Sequence, residues 1–184
     1  MIWFTSDTHF NHTAILRHQP ARAENFRDVD EMNLAFIDGI NSVVARNDVL
    51  YHMGDFSWKA SRTGHFRQRL NVRTIHLCRG NHDAASTAQH VSTMEHMRFP
   101  KLGDNKFHLC HYPMATWAAR QHGSYHLYGH SHGSMEDELN EYYPGRRAMD
   151  VGIDCAYKKF GQWRPFSLDE VLEQLCDVSL AGVT

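Results

Sequence analysis

Val49-Leu50-Tyr51-His52-Met53-Gly54-Asp55 and Thr74-Ile75-His76-Leu77-Cys78-Arg79-Gly80-Asn81 decide the fold. Each is a short apolar run that stops at a glycine beside a carboxylate or an amide. Short apolar runs closed by turn residues read as buried strands. Between them, Ser61 to Leu70 reads as a helix. Toward the N-terminus, Ile2 to Thr5 is another short apolar run, ending at Asp7-Thr8-His9. A short helical segment follows at His12 to His18. Residues 19–27 read as loop, with Arg17, Arg22 and Arg27 as solvated surface or as contacts for an anionic substrate. Asp28 to Ala45 reads as a helix, because Met32, Phe36, Ile40, Val43 and Val44 recur at helical spacing. Asp28 is its expected N-cap, with Glu31 at the capping-box position. This strand–helix–strand rhythm predicts an α/β domain with a partly parallel sheet.

After residue 95 the pattern changes. Met97 to Leu102 and Lys106 to Cys110 flank Gly103-Asp104-Asn105, which reads as a hairpin turn. Tyr125 to Tyr128 and Ala148 to Ile153 read as further strands. Ser167 to Cys176 reads as a final helix, capped by Ser167 with Glu170 at the box position. The expectation is a second, more antiparallel sheet in the same domain, spanning residues 1–184. A length of 184 residues fits one domain with its own core.

Hydrophobic residues make up 42% of the chain, charged residues 22%, and the net charge is −2. That balance fits a globular protein and advertises no basic field for nucleic acid. No apolar run approaches bilayer length, and the N-terminus has no signal-peptide pattern. Cys78, Cys110, Cys155 and Cys176 are scattered without a CxxC pair, as reduced thiols of a cytoplasmic protein would be.

The chain holds 15 histidines. Many cluster with carboxylates and amides in short islands: Asp7-Thr8-His9, Gly54-Asp55, Gly80-Asn81-His82-Asp83, His111 and Gly129-His130-Ser131-His132. Most islands follow a predicted strand. Ligands of open α/β sheets gather at the carboxyl ends of strands, so the islands are expected to converge on one site. Mixed imidazole and oxygen donors suit manganese, iron, zinc or nickel rather than calcium. The lack of a thiolate cluster argues against structural zinc. His52, His76, His108 and His126 sit within strands and are expected to serve packing. Trp3 belongs to the core, Arg79 to a structural salt bridge, and Trp58 and Tyr112 stand near ligand loops as candidates to stack a base or aryl group.

In order and content the islands resemble the calcineurin-like metallophosphoesterase superfamily, with D-x-H, G-D, G-N-H-[DE], a lone H and G-H-x-H all intact. The likeness is to its small single-domain bacterial and bacteriophage members. Asp150-Val151-Gly152-Ile153-Asp154 and Arg164-Pro165-Phe166-Ser167-Leu168-Asp169-Glu170 also look like the end of such proteins. The resemblance implies a two-sheet sandwich flanked by helices, in α-β-β-α layers. It implies two divalent metal ions, manganese first. Asp7, His9, Asp55 and His132 would hold one; Asp55, Asn81, His111 and His130 would hold the other, with Asp55 bridging. His82 would be the catalytic acid, with Asp83 as its charge partner. Asn81, His82 and His12 would touch substrate. The activity implied is hydrolysis of a phosphoester by in-line attack of a metal-bridging hydroxide.

Gly54-Asp55-Phe56-Ser57-Trp58-Lys59 lacks the D-R-G extension of protein phosphatases. That departure favours a phosphodiesterase acting on a small nucleotide or other phosphodiester. Phosphomonoesterase or protein phosphatase, nuclease, and a non-enzymatic metal-binding scaffold are the alternatives. Nucleic acid is a less favoured partner, no membrane partner is expected, and the oligomeric state is not legible.

Overall fold

A computed structural model describes residues 1–176. The chain runs β1 (Ile2–Thr5), α1 (Ile15–His18), α2 (Pro20–Asn25), α3 (Val29–Val43), β2 (Val49–His52), α4 (Ala60–Arg69) and β3 (Thr74–Cys78). It continues through β4 (Thr93–Glu95), β5 (Met97–Arg98), β6 (Lys101–Leu102), β7 (Asn105–Cys110), β8 (Tyr125–Tyr128) and α5 (Glu136–Tyr142). It closes with β9 (Ala148–Asp150), α6 (Ile153–Phe160), β10 (Phe166–Ser167) and α7 (Leu168–Cys176). One sheet has the order β10-β1-β2-β3-β4, and the other β5-β7-β8-β9 with β6 on β7.

Side-chain alternation along the strands builds the layers. Trp3, Leu50, Ile75 and Leu77 face Met32, Phe36, Ile40 and Phe66 of α3 and α4. Their neighbours Phe4, Tyr51 and Cys78 point the other way, onto Phe107, Leu109, Tyr125 and Leu127 of the second sheet. Tyr128 and Ala148 turn to the far side, where Trp117 and Leu139 of α5 cover them. The result is the expected two-sheet sandwich between helices.

Helix ends follow local chemistry. The Asp28 carboxylate accepts from Glu31 N at 2.9 Å, capping α3. At α7, Glu170 N donates to Ser167 Oγ at 3.2 Å and Ser167 N donates to Glu170 Oε2 at 2.8 Å, a reciprocal capping box.

Four expectations need correction. Residues 20–25 are a helix, with Pro20 at its first position; there the missing N–H costs nothing and the fixed φ favours a helical start. The second sheet is not mainly antiparallel: β7 pairs with β8, and β8 with β9, in parallel, while β5 and β6 run antiparallel to β7. Long connections join β7 to β8 and β8 to β9, as parallel pairing requires. The run from Ala148 stops at Asp150, and α6 begins at Ile153. The apolar run from Met97 also splits into β5 and β6 around Phe99-Pro100, since proline cannot donate to a ladder.

No helix among the described residues is long and apolar enough to cross a membrane. Trp3 is buried, and its indole N–H donates to Asp48 at 2.9 Å.

His126 shows how strand histidines serve packing. Its ring is buried; Nε2 accepts from Met114 N at 3.2 Å while Nδ1 donates to the His108 carbonyl at 2.8 Å. Burial pushes it down to about 4, against a smaller upward pull from the His108 carbonyl. A depressed histidine contributes stability above its unfolded value near 6.5 and loses it as pH falls toward 4. His126→Gln is therefore expected to flatten the loss of unfolding free energy between pH 7 and pH 5, measured by denaturant titration. An equally steep loss in the variant would refute the assignment.

Candidate metal centre

The islands meet because the chain leaves the first sheet at the same end of β1, β2 and β3 and then runs its loops side by side. Met53 N donates to Thr5 O at 2.8 Å, Asp7 N to Gly54 O at 2.9 Å and His9 N to Asp55 O at 2.9 Å. The second sheet delivers its loops to the same place, through Gly129 N to His111 O at 3.0 Å and Ile153 N to Ser6 O at 3.1 Å. Close approach demands glycine at two of these crossings. A Cβ on Gly80 would lie 2.2 Å from Asp55 Oδ1, and one on Gly129 would lie 2.3 Å from Asp7 Oδ2.

The backbone is strained at the site. Asp7, His9, Asp55, His130 and His132, five of the seven expected ligands, have positive φ between 46° and 67°. Left-handed backbone at non-glycine residues costs about 1–3 kcal/mol each and clusters at functional sites. The strain aims successive side chains inward from a short loop.

Asp7, His9 and His132 each place a ligand atom within 4.8 Å of the others, and so do Asp7, Asp55 and His111. Asp55 Oδ2 lies 3.5 Å from His9 Nε2 and 3.6 Å from His111 Nε2. Asp7 is wholly buried; its Oδ2 accepts from His130 N at 2.9 Å, but its Oδ1 has no hydrogen-bond partner among the described residues. A buried carboxylate oxygen left without a donor is costly unless a cation satisfies it. Burial raises the Asp7 pKa, but the adjoining His9 ring, 3.6 Å from Oδ1, and the His132 and His111 charges outweigh it and hold the carboxyl far below its usual range.

The histidine tautomers point the same way. His111 Nδ1 meets the Met53 carbonyl at 2.7 Å, so it carries the proton and Nε2 keeps its lone pair. That lone pair faces Asn81 Oδ1 at 3.0 Å, two acceptors with no proton between them. A shared cation reconciles the pair. His132 Nδ1 contacts Asp154 Oδ2 at 2.7 Å, which turns its Nε2 toward Asp7 Oδ1 at 3.9 Å. Burial lowers the His132 pKa, but the Asp154 hydrogen bond and the Asp7 and Asp154 charges raise it above its ordinary value. His130 belongs to neither triad; its ring packs edge-on against His111 and Tyr112.

His82 stands at the rim. Its N–H donates to Asp55 Oδ1 at 2.9 Å, and its ring Nε2 lies 4.0 Å from Asp55 Oδ2 with 35% of the side chain exposed. The Asp83 carboxylate turns to backbone instead, accepting from Asp55 N, Phe56 N and Gly80 N at 2.8–3.0 Å. It clamps two metal-loop segments together. His12 Nδ1 faces His9 Nδ1 at 3.2 Å; burial, then the charges of His9 and His82, lower it to about 4. His52 stays out of the site: Nδ1 accepts from Gly54 N at 3.2 Å and Nε2 meets Thr8 Oγ1 at 3.1 Å. Arg79 Nε donates to the Asp83 carbonyl at 3.0 Å, a backbone contact rather than the expected salt bridge.

Three supporting residues escaped sequence reasoning. Arg22 is not surface: it is fully buried, with Nε and Nη2 gripping the Asp154 carboxylate at 2.7 and 2.6 Å and Nη2 donating to Asp7 O at 2.6 Å. Asp154 thus joins α6, Arg22 and His132. Burial raises its pKa, but the Arg22 charge and the hydrogen bonds from Arg22 and His132 bring it down to about 2. Asp150 accepts from Ser131 Oγ at 2.7 Å and Gly133 N at 2.9 Å, holding the loop between β8 and α5. Burial and the nearby Asp7 charge push it up to about 6, against its hydrogen bonds.

Residues 1–113 match the family model described as calcineurin-like phosphoesterase. The chain belongs to that family. As a calcineurin-like phosphoesterase, it falls among metal-dependent hydrolases of phosphoesters. It is 29% identical over 176 residues to an uncharacterized protein of Methanocaldococcus jannaschii, covering 94% of this chain and 89% of that one. It is 27% identical over 194 residues to the gene 66 protein of Mycobacterium phage L5, covering 83% of this phosphoesterase and 86% of the phage protein. The solved structure of a protein of unknown function from Aquifex aeolicus shares the fold, with a TM-score of 0.75, 19% identity, and coverage of 95% and 98%.

Proposed function

We propose that this phosphoesterase is a dinuclear phosphodiesterase acting on a small nucleotide or other phosphodiester. The observation that carries the reading is Asp55 Oδ2, set between His9 and His111 at 3.5 and 3.6 Å. One oxygen between a donor of each half-site is the placement a bridging carboxylate needs. Asp7, His9, Asp55 and His132 would hold one cation; Asp55, Asn81, His111 and His130 would hold the other. Nitrogen and oxygen donors together suit manganese first, then iron, zinc or nickel. When bound, the cations supply positive charge to the phosphate and acidify the attacking water.

The chain's own residues do the rest. Asn81 and His82 face the phosphate, and His82 donates a proton to the departing oxygen as its bond to phosphorus breaks. Asp83 is a positioning residue that fixes the Asp55 and Gly80 loops. His12 lies on the substrate side of His9.

The pocket over the centre, about 430 Å³, is lined by no lysine or arginine among the described residues. That suits the single negative charge of a diester better than a monoester dianion. Cys78, Cys110 and Cys155 are free thiols, in keeping with a cytoplasmic setting.

His82→Ala is expected to keep its metal content while kcat falls about 10²–10⁴-fold. The loss should be steepest for diesters with poor leaving groups. Equal losses across a leaving-group series would remove His82 from the acid role.

A further inference from the structure

We propose that Trp58 is the stacking platform for one arm of the substrate, which narrows the substrate class to phosphodiesters bearing a planar aromatic group, a nucleobase foremost. The inference rests on the phosphodiesterase reading above and deepens it.

Trp58 is an anomaly among the tryptophans of this chain. Trp3 and Trp117 are buried and Trp163 packs half-buried on the core, whereas Trp58 leaves 42% of its surface exposed on the wall of the pocket over the metal centre. An indole left exposed on a pocket wall offers apolar area that a ligand gains by covering.

Its backbone is fixed. Trp58 N donates to Phe10 O at 3.0 Å, and Phe10 and Ser57 form an isolated parallel bridge. Ser57 is buried, with its hydroxyl 2.7 Å from that of Thr63 in α4. The ring is fixed as well: it lies flat on His12, with centroids 3.8 Å apart and planes within 6°. One face is backed and the exposed surface remains for a ligand. A rigid aromatic held this way loses little entropy on binding.

The platform lies beside the chemistry. The indole is 4.7 Å from the His82 ring, and His82 N is bonded to Asp55. A group stacked on Trp58 thus shares one pocket with Asp55 and Asn81, as the base of a nucleotide shares a site with its phosphate. Ala14 and Ile15 add apolar wall to the same pocket, while His18 and Gln19 offer polar groups to the edge of a base. Without lysine or arginine in the lining, an uncharged planar group is the matching occupant. Tyr112, also exposed, instead leans edge-on against His111 and His130 and does not line this pocket.

The test compares AMP with ribose 5-phosphate, which share a phosphate but not a base, by calorimetry on the manganese-loaded protein. Wild type is expected to bind AMP roughly tenfold to a hundredfold more tightly, the range of base–aromatic stacking. W58F, which keeps a ring, should retain most of that preference. W58L, which keeps bulk without a π face, should lose it while binding ribose 5-phosphate like wild type. No AMP preference in wild type, or an undiminished one in W58L, overturns the proposal. Diester turnover is scored separately. A wild type that prefers AMP yet cleaves no diester contradicts only the phosphodiesterase reading, and one that cleaves diesters without preferring AMP contradicts only the platform.

Discussion

Asp55→Asn is expected to lower kcat/KM for a phosphodiester by about a thousandfold or more, the scale of losing a main electrostatic element of a transition state. The expectation follows from the work concentrated in one side chain. Its Oδ2 stands between His9 and His111, and its Oδ1 accepts the His82 N–H at 2.9 Å. Asparagine keeps the size and tolerates the left-handed backbone at φ 57°. It removes the charge that lets one residue serve two cations. Alanine would also release His82 and strain the loop, so asparagine separates electrostatics from collapse. Elemental analysis should show reduced metal, and the melting temperature of the chelated protein should stay close to wild type. Full activity in Asp55→Asn would refute the bridging role.

Arg22→Ala is expected to destabilise the fold by about 3–5 kcal/mol, the cost of leaving one member of a buried ion pair alone. For a chain of this size that is a drop of roughly 6–20 °C in melting temperature. The guanidinium is fully buried and grips Asp154 through two nitrogens, while also holding the Asp7 carbonyl and lying 5.0 Å from the Phe36 ring centroid. Its removal leaves Asp154 buried with His132 as its one partner among the described residues. A double-mutant cycle with Asp154→Asn is expected to recover part of the loss, because the stranded charge disappears. Calorimetric melting of the chelated proteins checks this. A drop under 2 °C in Arg22→Ala, or strict additivity with Asp154→Asn, would show that the pair carries little.

These two residues mark the boundary of what the sequence discloses. Asp55 was legible because a strand followed by Gly-Asp places a carboxylate at a sheet's carboxyl end, and the other islands repeat that logic. The first sheet, α3 and α7 were legible for similar reasons: apolar periodicity and capping signals agree there. Arg22 was not legible. It lies in a polar stretch of chain, and only the docking of α2 against α6, through a contact with Asp154 far along the sequence, buries it. Pro20 was the one local signal of α2. Asp150 and Asp154 stood in a motif that looked like the family's, but their roles depend on the loop from Gly129 to Gly133 folding over them. The parallel second sheet was hidden because its strands are short and α5, Glu136–Tyr142, has no buried residue to set a helical period. Asp83 shows a finer limit: its place beside His82 in sequence pointed to the ring, whereas both oxygens turn to backbone N–H groups.

The most direct test of the central claim is hydrolysis of bis(p-nitrophenyl) phosphate by the chelated protein before and after manganese is restored. No turnover before and sustained turnover after is the result expected of a metal-dependent phosphodiesterase. No hydrolysis with manganese, iron, zinc or nickel would contradict it.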